Sequence, residues 1–295
     1  MNLARFSLIL SIVFLTFALP VEILGFYDFD RERRMNNFKS ARNNLARSVF
    51  IFLALVSASC VAVAAEEDGE WGASVGYDYS SGKYGGVHNT TTRSLPVSLS
   101  YAKGDYSFDL TIPYVWQDGP TGRVLRFPLR LEIGNVSGIG DVSTSVTRYF
   151  FGDDENAANL ALKALVNFGT ADASKGLGTG KNDYSIQGDV SKLFGPATLS
   201  ATLGYTVVGK LDGLDMRNIY YGALDAAFDV SDKLTAGLTL NFGMSPFAGA
   251  PNPRDLTVYF SYPVSKNARL SVYLLKGFSD GSPDNGNGAS LAFYF

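Results

Sequence analysis

The chain has 295 residues, of which 46% are hydrophobic and only 18% charged, with a formal net charge of −3. Residues 66–295 hold 18 Lys/Arg against 24 Asp/Glu, an acidic balance that argues against nucleic acid as a partner. With 21 Phe, 16 Tyr and 31 Gly the composition favours strands with wet loops over helices, and a single cysteine leaves no disulfide framework or thiolate zinc site. No cofactor or metal is expected.

The N-terminal part reads as two starts in series. From Met35 the chain has the features of an export signal: Lys39, Arg42 and Arg47, an apolar run from Val49 to Val61, then Ala62-Val63-Ala64-Ala65 before Glu66. Residues 35–65 are therefore expected to be a signal peptide and residues 1–34 an upstream extension, with a membrane anchor over Phe6–Phe26 as the alternative. Residues 66–295 are expected to form one domain. Cys60 falls inside the signal.

From Glu70 onward no stretch keeps apolar spacing at i, i+3, i+4, i+7; period-two runs alternate with turns and glycine-rich loops instead. Trp71, Ala73, Val75, Tyr77 and Tyr79 share one face, and Leu95, Val97, Leu99 and Tyr101 the next. After the turn Lys103-Gly104-Asp105, the third run sets Tyr106, Phe108, Leu110, Ile112, Tyr114 and Trp116 against Ser107, Asp109 and Thr111. A loop over residues 117–137 precedes a fourth strand, Gly138–Phe150. The fifth carries Leu160, Leu162, Ala164, Val166 and Phe168 opposite Lys163 and Asn167, and the sixth Tyr184, Ile186 and Val190 opposite Gln187 and Asp189. Later runs follow the same rule, with Asp225, Asp229, Arg269, Ser271 and Tyr273 on the polar side. The chain ends on Ala289, Leu291, Phe293 and Phe295, an alternating strand whose terminal Phe resembles the assembly signal of bacterial barrel proteins.

Short turns alternate with long loops over twelve such strands, the layout of periplasmic turns and external loops. The fold expected is all-β: a transmembrane antiparallel up-and-down barrel, its apolar face in lipid and its Ser, Thr, Gly, Asn and Asp face around a watery lumen. The competing β-sandwich would need one face of every strand in a dry common core. Candidates for the lumen or its constriction are Asp109, Lys163, Asn167, Gln187, Asp189, Asp225, Arg269 and Tyr273. If Phe168 pairs with Tyr184, Lys163 stands opposite Asp189 as an ion pair bracing the wall. Arg123, Arg126 and Arg130 in the loop before the fourth strand have two readings: a constriction folded into the pore, or an external hairpin binding lipopolysaccharide phosphates. Expected partners are outer-membrane lipids, lipopolysaccharide and a small-molecule solute, with oligomeric state left open.

Gly138-Ile139-Gly140-Asp141, Val166-Asn167-Phe168-Gly169-Thr170, Gly176-Leu177-Gly178-Thr179-Gly180 and Asp183-Tyr184 resemble the outer-membrane transporter family named after the meta-pathway of phenol degradation. That resemblance implies a barrel admitting aromatic or other hydrophobic small molecules by passive uptake. Where the family often has Pro before the turn after the fifth strand, this chain has Phe168-Gly169-Thr170-Ala171.

Two other functions are weighed. An outer-membrane lipid-modifying enzyme would use His88, the single histidine, but no serine is specifically placed beside it. A structural or adhesive barrel would have a plugged lumen. Gly176–Lys181 lacks the Walker spacing, because Lys175 and Asn182 stand where Gly and Ser/Thr are needed, and reads as a flexible loop.

Overall fold

Alternation becomes strand geometry along the chain from Glu70 to Tyr294. The computed structural model describes residues 69–84, 88–119, 123–126, 129–132, 135–150 and 157–295. The expected extension and signal peptide lie outside the described residues. In order the strands are β1 (Glu70–Gly82), β2 (Thr90–Lys103), β3 (Tyr106–Asp118), β4 (Arg123–Arg126), β5 (Leu129–Glu132), β6 (Val136–Ile139), β7 (Val142–Phe150), β8 (Asn159–Phe168), β9 (Asp183–Phe194), β10 (Ala197–Val207), β11 (Ile219–Ser231), β12 (Leu234–Gly243), β13 (Arg254–Ser265), β14 (Ala268–Gly277) and β15 (Asn285–Tyr294).

Sequence neighbours in the wall pair antiparallel, and β1 pairs with β15 with Val75 opposite Leu291, so the sheet closes on itself. At the seam Trp71 and Phe295 exchange both backbone hydrogen bonds, at 3.0 and 2.9 Å. Closure pairs the first wall strand with the last, the condition for crossing a bilayer. β6 and β7 both lie along β3 and are two halves of one wall strand, so the barrel has the expected twelve. Between those halves the register against β3 slips by one, from Tyr114 opposite Ile139 to Thr111 opposite Ser143. The slip is a bulge at Gly140-Asp141, which turns Ile139 outward and Asp141 inward. β4 and β5 form a separate hairpin with Arg123 opposite Glu132.

The two faces differ in the sense that fits lipid outside. Leu162, Leu203 and Leu274 are 54%, 64% and 66% exposed on the outer face, whereas inward Ala161 and Thr202 are 1% and 8% exposed. An apolar outer face this continuous is unfavourable in water and favourable in hydrocarbon. Aromatic pairs mark its borders: Trp71 with Tyr101, centroids 4.7 Å apart, at the end bearing the short turns, and Tyr114 with Trp116 and Tyr205 with Tyr220, at 4.6 and 4.8 Å, at the loop end. Among the described residues no helix is long and apolar enough to cross a membrane; the strands cross it. Leu203→Arg should destabilise the barrel in lipid by about 2–4 kcal/mol, because it puts a cation in the hydrocarbon zone. Urea titration in vesicles measures this, and an unchanged midpoint would argue that Leu203 does not meet acyl chains.

Candidate functional site: the lumen and its mouth

Parity and register place Asp109, Lys163, Asn167, Gln187, Asp189, Asp225, Arg269 and Tyr273 on the inner face, each in a row with other inward residues. Several of them meet. Gln187 Nε2 donates to both carboxylate oxygens of Asp189 at 2.9 Å, Thr202 Oγ1 donates to Asp189 at 2.6 Å, and Tyr221 Oη donates to Gln187 Oε1 at 3.0 Å. Asp225 accepts from Thr239 at 2.6 Å and from Tyr259 at 3.2 Å. Tyr273 donates to Asp78 at 2.7 Å, Ser145 to Asp109 at 3.1 Å, and Arg269 to Ser261 at 3.1 Å.

One expected pairing is corrected. Tyr184 stands opposite Val166, not Phe168, so Lys163 faces Gln187, and Asp189 faces Ala161. The ladder stops at Asn167–Asp183 because the Asn182 side chain accepts from Gly169 N–H at 2.9 Å, taking the place of the next strand bond. Phe168 is left to pair with Val142 on the other side.

Three inward tyrosines share one arrangement that periodicity alone does not show. Tyr221, Tyr259 and Tyr273 stand opposite Gly204, Gly237 and Gly288 on the adjacent strands, and each ring occupies the space that a side chain there would fill. The absence of a Cβ lets the ring lie along the wall and its hydroxyl reach an acceptor two strands away: Gln187, Asp225 or Asp78. Large side chains thus line the lumen without crossing it. The signal was present as a glycine at each inward position, but it requires the register to be read.

Long loops close over the other end of the wall in two places. First, the loop between β8 and β9 turns into the barrel. The Thr170 hydroxyl accepts from Val142 N–H at 2.9 Å and donates to Gly140 O at 3.3 Å, while Asp141 accepts from Ala171 N–H at 2.9 Å. Asp172 caps a short 3-10 turn, Ala173–Lys175, and its carboxyl is held below the usual range chiefly by the Ser174 hydroxyl. Leu177 then packs on inward Val115, with Ala171 and Val136 beside it. A Cβ on Gly138 would lie 2.8 Å from Leu177 Cδ1, so glycine is what admits that leucine. Within Gly176–Lys181, expected to be a flexible loop, Leu177 is the residue anchored by this packing. The bulge between β6 and β7, this loop and the ends of β8 and β9 that flank it hold the segments that carried the family resemblance.

Second, the loops following β10 and β12 bond together through Arg217 N to Pro246 O at 2.8 Å and Ala248 N to Asp215 O at 3.1 Å. They form an apolar cap of Val208, Met216, Ile219, Phe247 and Ala250 into which Tyr84 inserts. Tyr84 has φ +47, a conformation that costs roughly 1–2 kcal/mol for a residue with a side chain. Burying the ring to 2% exposure offsets that by about 1.5–3 kcal/mol. Burial also pushes its phenol up to about 12, against an opposing hydrogen bond with Ser80.

Arg123, Arg126 and Arg130 lie on the β4–β5 hairpin, and their side chains are outside the described residues. His88 is exposed in the loop after β1. Among the described residues no group of three His, Cys, Asp or Glu side chains is placed to hold a metal ion.

An outer-membrane channel from Pseudomonas putida F1 has a similar structure, with a TM-score of 0.65 at 13% identity over 78% of this chain and 97% of that one. The KdgM porin aligns with a TM-score of 0.46 at 10% identity, over 75% of this chain and 99% of that one. A mutant of the TodX monoaromatic hydrocarbon channel aligns with a TM-score of 0.41 at 11% identity, over 78% and 91%. No curated protein matches the chain. The barrel shares the fold of that Pseudomonas putida channel. Residues 66–295 match the family described as "Putative MetA-pathway of phenol degradation", and the chain belongs to that family.

Proposed function

We propose that the protein is a passive outer-membrane channel whose solutes are small hydrophobic or aromatic molecules, moved down their gradients without cofactor or covalent step. The observation that carries this reading is a closed barrel whose outer face is apolar and whose inner face is polar. The inner wall is lined mainly by hydroxyls, amides and carboxylates, and the loops at the mouth bury their apolar side chains in two clusters, Leu177 with Val115 and Tyr84 with Met216 and Phe247, which leaves the path between them polar. A sealed cylinder with a polar interior gives a watery path across the membrane, and such a wall binds a hydrophobic solute too weakly to trap it. Family membership supports the same reading.

On this reading residues 35–65 are a signal removed on export, and outward Arg93, Arg254 and Lys276 at the loop end meet lipopolysaccharide phosphates. Swelling of proteoliposomes containing the refolded barrel should be faster in small aromatic solutes than in an isosmotic disaccharide. Equal rates to protein-free liposomes for every solute would reject the channel. A lipid-hydrolysing alternative requires an activity that disappears in His88→Ala while swelling is unchanged.

A further inference from the structure

Charge is sorted between the two sides of the wall. Asp78, Asp109, Asp189, Asp225, Asp229 and Asp255 occupy inward positions on five strands, against inward Lys163 and Arg269. Outward positions show the reverse. Arg93, Arg254 and Lys276 stand in outward rows at the loop end, and Lys103, Arg148 and Lys192 at the turn end. Arg148 lies 4.7 Å from the Phe150 ring centroid and Lys192 5.5 Å from that of Phe194, so both stay with the outer aromatic border. Arg93 pairs with Asp118 on that same outer side.

Four of the inward carboxylates accept from neutral donors. Asp78 takes Tyr273 and Ser94 hydroxyls at 2.7 and 3.2 Å, Asp225 takes Thr239 and Tyr259, Asp189 takes Gln187 and Thr202, and Asp255 takes the Asn241 amide at 2.8 Å. Such donors stabilise an anion without cancelling its charge. The β4–β5 hairpin with its three arginines pairs with no wall strand.

We infer that the lumen passes cations in preference to anions, so that among aromatic solutes it admits neutral and amine-bearing molecules and disfavours carboxylates. The inference rests on the channel reading above and adds to it the charge class of the solute. Confined water between low-dielectric walls focuses the field of the wall charges along the path. A potential of about 1 kT enriches cations and depletes anions about 3-fold each, a permeability ratio on the order of 7.

The test is the reversal potential of the full barrel in a planar bilayer under a KCl gradient, with Asp78→Asn, Asp225→Asn and Asp255→Asn combined as the variant. Wild type should be several-fold selective for potassium over chloride, and the variant should approach a ratio of 1. Asparagine keeps the shape and one acceptor, and heat-modifiable migration checks that the variant is folded. A variant that misfolds leaves the wild-type comparison standing: proteoliposomes should take up phenylethylamine several-fold faster than phenylacetate. Conductance with no selectivity, or with chloride preferred, overturns the inference while the channel reading survives. Absence of any conductance overturns both.

Discussion

Asp141→Ala combined with Leu177→Ala should raise single-channel conductance several-fold. The loop between β8 and β9 is held in the barrel by few contacts, and these two side chains supply much of the anchorage. Asp141 accepts from Ala171 N–H at 2.9 Å, and a hydrogen bond to a charged group contributes about 1.5–3 kcal/mol. Leu177, 4% exposed against Val115, contributes about 1.5–3 kcal/mol through burial. Together they amount to roughly 3–6 kcal/mol, near the ~5.5 kcal/mol that turns a 99:1 preference into 1:99. Asp141→Asn retains an acceptor and should leave conductance close to wild type. If the double variant conducts as wild type does while folded, the loop does not set the bore.

Gly288→Val should abolish most assembly of the folded barrel. A Cβ at this position lies 2.7 Å from Asp78 Oδ1 and overlaps the Tyr273 ring, which is held by its own bond to Asp78. Displacing the ring costs about 1–3 kcal/mol in overpacking, and breaking the charge-assisted bond about 1.5–3 kcal/mol more. Residue 288 also sits in the closing strand, beside Asp78 of β1, so the disruption falls where the cylinder must seal. Heat-modifiable migration after refolding reads the outcome. Tyr273→Ala added to Gly288→Val should restore folding by vacating the space; a double variant that stays unfolded would place the damage in the backbone rather than in the collision.

The twelve wall strands and the side each faces were legible because parity needs only one strand at a time. Trp71 to Tyr79 or Tyr106 to Trp116 declare their faces without reference to neighbours. Register is different, since it depends on how a loop spends its residues. The expected placement of Lys163 directly opposite Asp189 failed because Asn182 ends the ladder early with its side chain, which no alternation pattern records. Leu177 could have been marked as the lone large apolar residue in a glycine-rich run. Its destination, inward Val115, depends on the bulge at Gly140-Asp141, and a one-residue slip between strands leaves no trace in composition. Asp78, Tyr221 and Tyr259 were missed for the same reason: each acquires meaning from a glycine or an acceptor on a strand distant in the chain.

The tyrosines seated over Gly204, Gly237 and Gly288 also bear on how the wall comes apart. Each one fastens three consecutive strands, so no hairpin within β9–β13 or across the β14–β1 seam can unzip without unseating a ring and stranding an acceptor on its neighbour. Amide protons from β9 through β13 and across the β14–β1 seam should therefore exchange with solvent deuterium as one cooperative block. The β4–β5 hairpin, which shares no ladder with that cylinder, should exchange on its own clock.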